Sequence, residues 1–122
     1  MKVKVSELQG AALDWAVAKC EGELSQHGGQ VHLVGSKVRF YEDTSDIPYT
    51  PSTDWAQGGP IIEREEISLE TLAHDEYGDG WLATSVRYAV YMEFAPTPLI
   101  AAMRSYVASK MGDEIEIPEE LK

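Results

Sequence analysis

The stretch TPLIAAMRSYVASKMG, residues 97–112, carries its own start and stop signals and fixes one helix before anything else. Thr97 can accept a backbone hydrogen bond as the N-cap, and Pro98 takes the first helical position, where an amide hydrogen would have no partner. Ile100, Met103, Val107 and Met111 fall on one face, with Leu99 and Tyr106 beside it. Ala101, Arg104, Ser105 and Ala108 form the other side. Lys110 suits the C-terminal dipole and Gly112 caps the end. A helix patterned this way needs a partner surface for its apolar stripe.

The amino-terminal part repeats the plan with weaker signals. Lys2–Val5, KVKV, alternates as a short half-buried strand does. Ser6 with Gln9 reads as a capping box and predicts a helix over about 7–21. Leu8, Ala11, Trp15 and Ala18 would share one face, Glu7, Asp14 and Glu21 the opposite one, and Gly22 would cap the end. Its alanines let the helix approach a sheet closely, with Trp15 as the large plug in the core.

Two β-rich runs, Val31–Val34 and Lys37–Glu42, flank Gly35–Ser36 and predict a hairpin. His32 should point away from the face of Val31 and Leu33 as a structural residue. Residues 43–57 are rich in Asp, Ser, Thr and Pro and read as a long loop, after which PIIERE (Pro60–Glu65) could enter a strand. Residues 72–80 read as another loop. From Trp81 to Phe94 the even positions Leu82, Thr84, Val86, Tyr88, Val90, Met92 and Phe94 sustain period-two alternation, which predicts one long strand. Ile115 and Ile117 alternate with Glu114 and Glu116 as a short edge strand that Pro118 would end. The expected fold is α+β: a small mixed or antiparallel sheet of about four to five strands with two main helices packed on one face. The 122 residues suit a single domain, 1–122, with one core.

Charge narrows the partners. The net charge is −11. Residues 1–40 are net +1, residues 41–80 net −10 with eleven acids and one base, and residues 81–122 net −2. A field concentrated in this way repels phosphate backbones, so direct duplex nucleic-acid binding is not expected. It favours a basic protein surface, a cation or a polyamine. No apolar run is long enough to span a bilayer, and MKVKVSELQG has no apolar segment of a secretory signal, so no membrane partner is expected. Cys20 is the one cysteine, which rules out a disulfide within the chain and fits a reducing compartment.

The segments LDWAVAKCEG, PSTDWAQGGPIIERE and TPLIAAMRSYVASKMGDEIEIPEEL together resemble the NinX-like family of small phage proteins, encoded among the accessory genes of lambdoid phages and related prophages. The likeness spans nearly the whole chain in the same order. It implies a phage origin, a host-cytoplasmic setting and an accessory role, and it implies no reaction.

The stretch YTPSTDWAQGGP, Tyr49–Pro60, is the candidate site. Read as a turn, Ser52, Thr53 and Asp54 fold back onto backbone amides. Gly58 and Gly59 permit positive φ, Pro60 holds Gly59 extended, and Trp55 tethers the loop to the core. Read as a ligand loop, the Gly58 and Gly59 amides approach an acceptor group, Trp55 or Tyr49 stacks on a ring, and Asp54 takes a donor edge. Trp81 supplies a second aromatic to a shared cleft. The two readings are compatible, and the expectation is that the stretch is both turn and site. The glycines are not a Walker loop, since no lysine follows them.

Other chemistry has less support. His74, Asp75, Glu76 and Asp79 lie close together, but their spacing is not that of a calcium loop, and no metal site or cofactor is expected. Cys20 sits at a predicted helix end, where the dipole opposes a thiolate. His27, His32 and His74 stand in no relation to a nucleophile, so no catalytic residue is named. The leading expectation is a non-enzymatic binding module that captures a small molecule or nucleotide-like ligand. The alternative is an acidic interaction protein, an inhibitor or charge mimic, that meets a basic host or phage protein. Homodimerisation is compatible with both.

Overall fold

The computed structural model describes residues 1–74, 78–87 and 90–121. In chain order the elements begin with β1 (Lys2–Lys4), a 3-10 turn (Val5–Glu7) and α1 (Gly10–Leu24). The strands β2 (Gln30–Val34), β3 (Lys37–Glu42) and β4 (Ser45–Pro48) follow, then α2 (Trp55–Glu65). Next come β5 (Ser68–His74), β6 (Gly78–Ser85), β7 (Tyr91–Ala95), α3 (Pro98–Met111), β8 (Glu114–Glu116) and a second 3-10 turn (Glu119–Leu121).

The α+β class holds, but the single sheet of four to five strands does not form. Among the described residues the strands divide into three antiparallel sheets: β1–β8, β2–β3–β4 and β5–β6–β7. The two long helices do not share one sheet either. α1 packs on β2 and β3, whereas α3 packs on β5, β6 and β7 and also touches α1 and α2.

α3 starts and stops where its caps direct. Thr97 Oγ1 accepts from the Ile100 amide at 3.2 Å, and the Gly112 amide donates to Ala108 at 2.8 Å with φ 91°. Its second side is not a solvent face. Ala101, Ala102, Ser105 and Ala108 are buried along with Met103, Tyr106 and Val107, because α3 lies between the other helices and a sheet. Small residues on that side let the sheet approach. Arg104 reaches past them and donates to Leu8 O at 2.7 Å and Phe94 O at 3.0 Å.

α1 departs from its expected bounds at both ends. The Ser6 capping box is not used; Gln9 is the N-cap and makes no side-chain cap bond. Gly22 lies inside the helix, and Ser25 is the C-cap. The glycine serves close approach instead of termination, since a Cβ there would stand 3.0 Å from Gly29 O. The buried face is Leu13, Ala16, Val17 and Cys20, with Ala18 and Asp14 also buried, while Ala11 is exposed. Trp15 is half-buried against the core, and the Lys19 ammonium lies 5.9 Å from its ring centre.

The hairpin forms around Gly35–Ser36 as expected, with Val31 opposite Phe40 and Leu33 opposite Val38. His32 meets Asp46 at 2.9 Å on the outer side. The long loop over 43–57 does not form. Asp43, at φ 58°, turns the chain into β4, which pairs Ile47 with Phe40. β4 is an edge strand with all four residues exposed, so it has no apolar alternation to announce it. PIIERE is helical, not a strand entry.

The single long strand over 81–94 is two strands. β6 and β7 pair antiparallel, with Leu82 opposite Phe94 and Thr84 opposite Met92. Even positions pair with even positions, so the alternation runs through the reversal unbroken and conceals it. Tyr88 and Ala89 lie outside the described residues. The loop expected over 72–80 is mostly strand, because β5 continues to His74 and β6 begins at Gly78. β8 is the expected short edge strand and pairs Ile115 with Val3 of β1. Among the described residues no helix is long and apolar enough to cross a membrane.

Candidate functional site

Asp54 opens α2: its side chain accepts from the Ala56 amide at 2.9 Å. Gly58, Gly59 and Pro60 therefore lie within a helix and form no Gly-Gly turn. The Gly58 amide donates to Asp54 O at 2.8 Å, so it is committed to the backbone. A Cβ on Gly58 would stand 2.5 Å from Pro51 O and 2.6 Å from Leu99 Cδ2, whereas Gly59 faces open space. Pro60 is exposed on the same helix. Ser52 is buried and its amide donates to Asp14 at 2.8 Å, which ties the segment before α2 to α1. Thr53 is exposed, and its amide closes a turn to Thr50 O at 3.1 Å. Trp55 does not tether anything to the core, being 54% exposed at the first turn of α2. Trp81 lines a separate hollow with Thr71, Leu72 and Pro96. Of the expected residues, only Tyr49 enters the hollow described next.

That hollow, of about 460 Å³, lies where the end of α1, the β3–β4 hairpin and α2 converge. Leu24, Phe40, Ile47 and Tyr49 line it together with Glu21, Ser25, His27, Glu42 and Arg64. Phe40 and Tyr49 set their ring centres 5.2 Å apart at a 31° tilt. Ser25 donates its hydroxyl to Glu42 and accepts the Gly29 amide at 2.9 Å, so the turn after α1 is fastened to β3.

Arg64 joins the hollow to the interior. It donates twice to Glu21, at 2.9 and 2.6 Å, and once to Glu65 at 2.6 Å. The Tyr106 hydroxyl of α3 donates to the same Glu21 at 2.6 Å, so three helices meet at one carboxylate. These bonds, Glu21's first, hold Arg64 firmly charged. Burial, and then the Glu21 charge, push the Tyr106 and Tyr49 hydroxyls far above the ordinary phenol range. Glu65 is 3% exposed at its side chain, and among the described residues its Oε1 has no hydrogen-bond partner. One guanidinium thus faces two carboxylates, and Glu42 adds a third at the mouth.

Asp14 is a further buried carboxylate. Burial raises its pKa above 3.8, and the Ser52 hydroxyl and amide pull it partly back. Cys20 is fully buried, and burial pushes its thiol up to about 12, so it is a poor nucleophile. Among the described residues no three of His, Cys, Asp and Glu gather as a metal site. The sequence cluster at His74–Asp79 falls partly outside them, at Asp75 and Glu76.

Sequence reasoning missed Glu21, Phe40, Glu42, Arg64 and Tyr106 as neighbours. One signal was present: Arg64 is the sole base among eleven acids in residues 41–80. A lone cation in such company will be paired, although the partner's position could not be read.

The geometry defines a small α+β protein with a carboxylate-rich hollow where two helices meet a hairpin. The family model for bacteriophage P22 NinX matches residues 4–110, and the chain belongs to that family. The match takes in α1, α2, the β2–β3–β4 and β5–β6–β7 sheets and nearly all of α3, and it stops before β8. No curated protein matches the chain.

Proposed function

We propose that this phage accessory protein acts in the host cytoplasm as a non-enzymatic binding module, with its ligand in the hollow between α1, the β3–β4 hairpin and α2. The observation that carries the reading is the pairing of an apolar wall with unbalanced carboxylates. Phe40, Tyr49, Ile47 and Leu24 offer a surface for a ring or aliphatic body, and Glu21 and Glu42 line the same hollow. Arg64 is already held by Glu21 and Glu65, so it has no spare charge for a phosphate. The ligand class is therefore a small amine or guanidine with an apolar body. A nucleoside-like ring suits the wall, but its phosphorylated form does not.

Within this reading Tyr49 touches the ligand. Ser52, Thr53, Asp54, Gly58, Gly59 and Pro60 serve by starting and seating α2, which carries Arg64. Trp55 and Trp81 lie outside the hollow.

The test is calorimetric titration with spermidine, tyramine, adenosine and adenosine monophosphate. Tyramine or spermidine should bind, and Glu42→Gln should weaken that binding about tenfold, in keeping with the loss of a charge-assisted contact. Preference for the monophosphate, or equal binding by Glu42→Gln, would refute the assignment.

A further inference from the structure

The β5–β6–β7 sheet has two unlike faces. Toward α3 it presents Ala83, Ser85 and Ala95, all buried. Ser105 of α3 fastens this side by donating to Tyr91 O at 2.8 Å, with the Ser85 hydroxyl 2.8 Å from Ser105 Oγ. Strand alternation places Leu72, Leu82, Thr84, Met92 and Phe94 on the opposite face. The register draws them together: Leu82 is opposite Phe94, Thr84 is opposite Met92, and Gly80 is opposite Leu72. Gly80 leaves room for the Phe94 ring, since a Cβ there would stand 2.6 Å from Phe94 Cζ.

The outer face of a one-sided antiparallel sheet is ordinarily polar. Here it carries two leucines, a methionine and a phenylalanine. Among the described elements α3 is the one that packs broadly on this sheet, and it takes the inner face. Met92 and Val86 are each 58% exposed, and Val90 nearby is 70% exposed. Leu72, Leu82 and Phe94 are half-buried around the exposed Met92, and an apolar patch of this kind marks an interaction site.

Charge selects the occupant. Glu70 lies on the face, opposite Leu82, while Glu66 precedes β5 and Asp79 lies at the far end of β6. Arg87 is the neighbouring cation and is paired with Glu66 at 3.6 Å. Two such faces brought together would oppose like charges, on chains of net charge −11 each. A second copy therefore fits poorly, and a partner with an apolar centre framed by lysine or arginine fits well.

We propose that the outer face of the β5–β6–β7 sheet docks a basic partner protein, with Leu82, Met92 and Phe94 at the centre and Glu70 at the edge. This surface is distinct from the hollow around Arg64, and it stands whether or not that hollow binds a small molecule.

The experiment uses the whole chain, isotopically labelled for amide NMR, with two synthetic strand-forming peptides as probes. One alternates leucine with lysine, the other leucine with glutamate. The lysine peptide should shift amides of β6 and β7 around Leu82, Met92 and Phe94, and should bind more weakly as salt is added. Met92→Asp removes the apolar centre and Glu70→Lys reverses the edge. Both positions are exposed, and each change should weaken binding about tenfold. A thermal melt of each variant establishes that it is folded, and Glu70→Lys carries the test if Met92→Asp is not. Equal binding of the glutamate peptide, unchanged binding by a folded variant, or shifts confined to the Arg64 hollow would each overturn the proposal. So would a wild-type dimer in sedimentation that Met92→Asp dissociates, since a second copy would then be the occupant.

Discussion

α2 and α3 begin with the same device and end in different surroundings. Thr97 caps α3 through the Ile100 amide at 3.2 Å, and Asp54 caps α2 through the Ala56 amide at 2.9 Å. α3 then runs through the middle of the molecule and buries residues on every side. α2 buries Gly58, Ile61 and Glu65 along one stripe, with Ile62 half-buried beside it, and exposes most of its other residues. α3 has the intrinsic pattern of a helix, whereas α2 carries two glycines and a proline that oppose one. The difference teaches that α2 is helical because its cap and its seat against Pro51 and Leu99 outweigh its composition.

That contrast can be pressed with substitutions. Met103 of α3 is fully buried, so Met103→Ala should cost about 2–5 kcal/mol in urea unfolding. Ile62 of α2 is half-buried, and Ile62→Ala should cost about 1–2 kcal/mol. Equal losses would mean that α2 is as central as α3. The adjacent glycines give the next largest effect. Gly58→Ala forces a Cβ to within 2.5 Å of a backbone oxygen, which rigid neighbours cannot relieve. Its overpacking cost of about 1–3 kcal/mol should exceed the roughly 1 kcal/mol that alanine gains in a helix. Gly59→Ala meets nothing and should stabilise by about 0.5–1 kcal/mol. Melts in which both variants move the same way would refute the seat against Pro51.

The caps come third. Asp54→Ala and Thr97→Ala should each cost about 1 kcal/mol, with the loss of protection after Asp54→Ala confined to α2 in hydrogen exchange. Uniform loss across the chain would show that α2 does not open on its own. The smallest effect is the pH response of Asp14, which ties α1 to the segment leading into α2. Its folded pKa lies above the ordinary 3.8, so the folded state keeps the proton to higher pH. Its contribution to stability is complete below 3.8 and is lost as pH rises through the raised value. Asp14→Asn keeps an acceptor for the Ser52 amide and should flatten the stability profile over that window. An unchanged slope would exclude Asp14 as its source.

What was legible in the sequence was local. Thr97, Pro98 and Gly112 set α3 through contacts within a few residues, and Gly35–Ser36 set the hairpin in the same way. What was illegible depended on distant partners. Gly22 reads as a terminator until Gly29 is seen against it, and Gly58 reads as a turn until Pro51 is. Asp14 falls on the expected wet face of α1 but is buried by Ser52, thirty-eight positions away. The residues expected to form one cleft are dispersed for the same reason. Of the residues expected at the site, Tyr49 lines the hollow, but Glu21, Arg64 and Tyr106 come from three helices, and no spacing rule brings them together. Parity hid the β6–β7 reversal, since an even register leaves the alternation intact.

The β1–β8 pair has a consequence for the order in which the chain folds. β2–β3–β4 and β5–β6–β7 each join strands that are neighbours in sequence, so their closure entropy is small. Val3 and Ile115 must instead find each other from the two ends of the chain, at the largest closure cost in the fold. Both meanders should therefore assemble first, around α1 and α3, and the terminal pair should close over them last. Pulse-labelled hydrogen exchange during refolding should show protection of β1 and β8 amides trailing that of β3 and β6. Early protection at the ends would reverse the order. The same pair is then the first seam to open in the native protein, so that the ends loosen while the hollow and the open sheet face remain built.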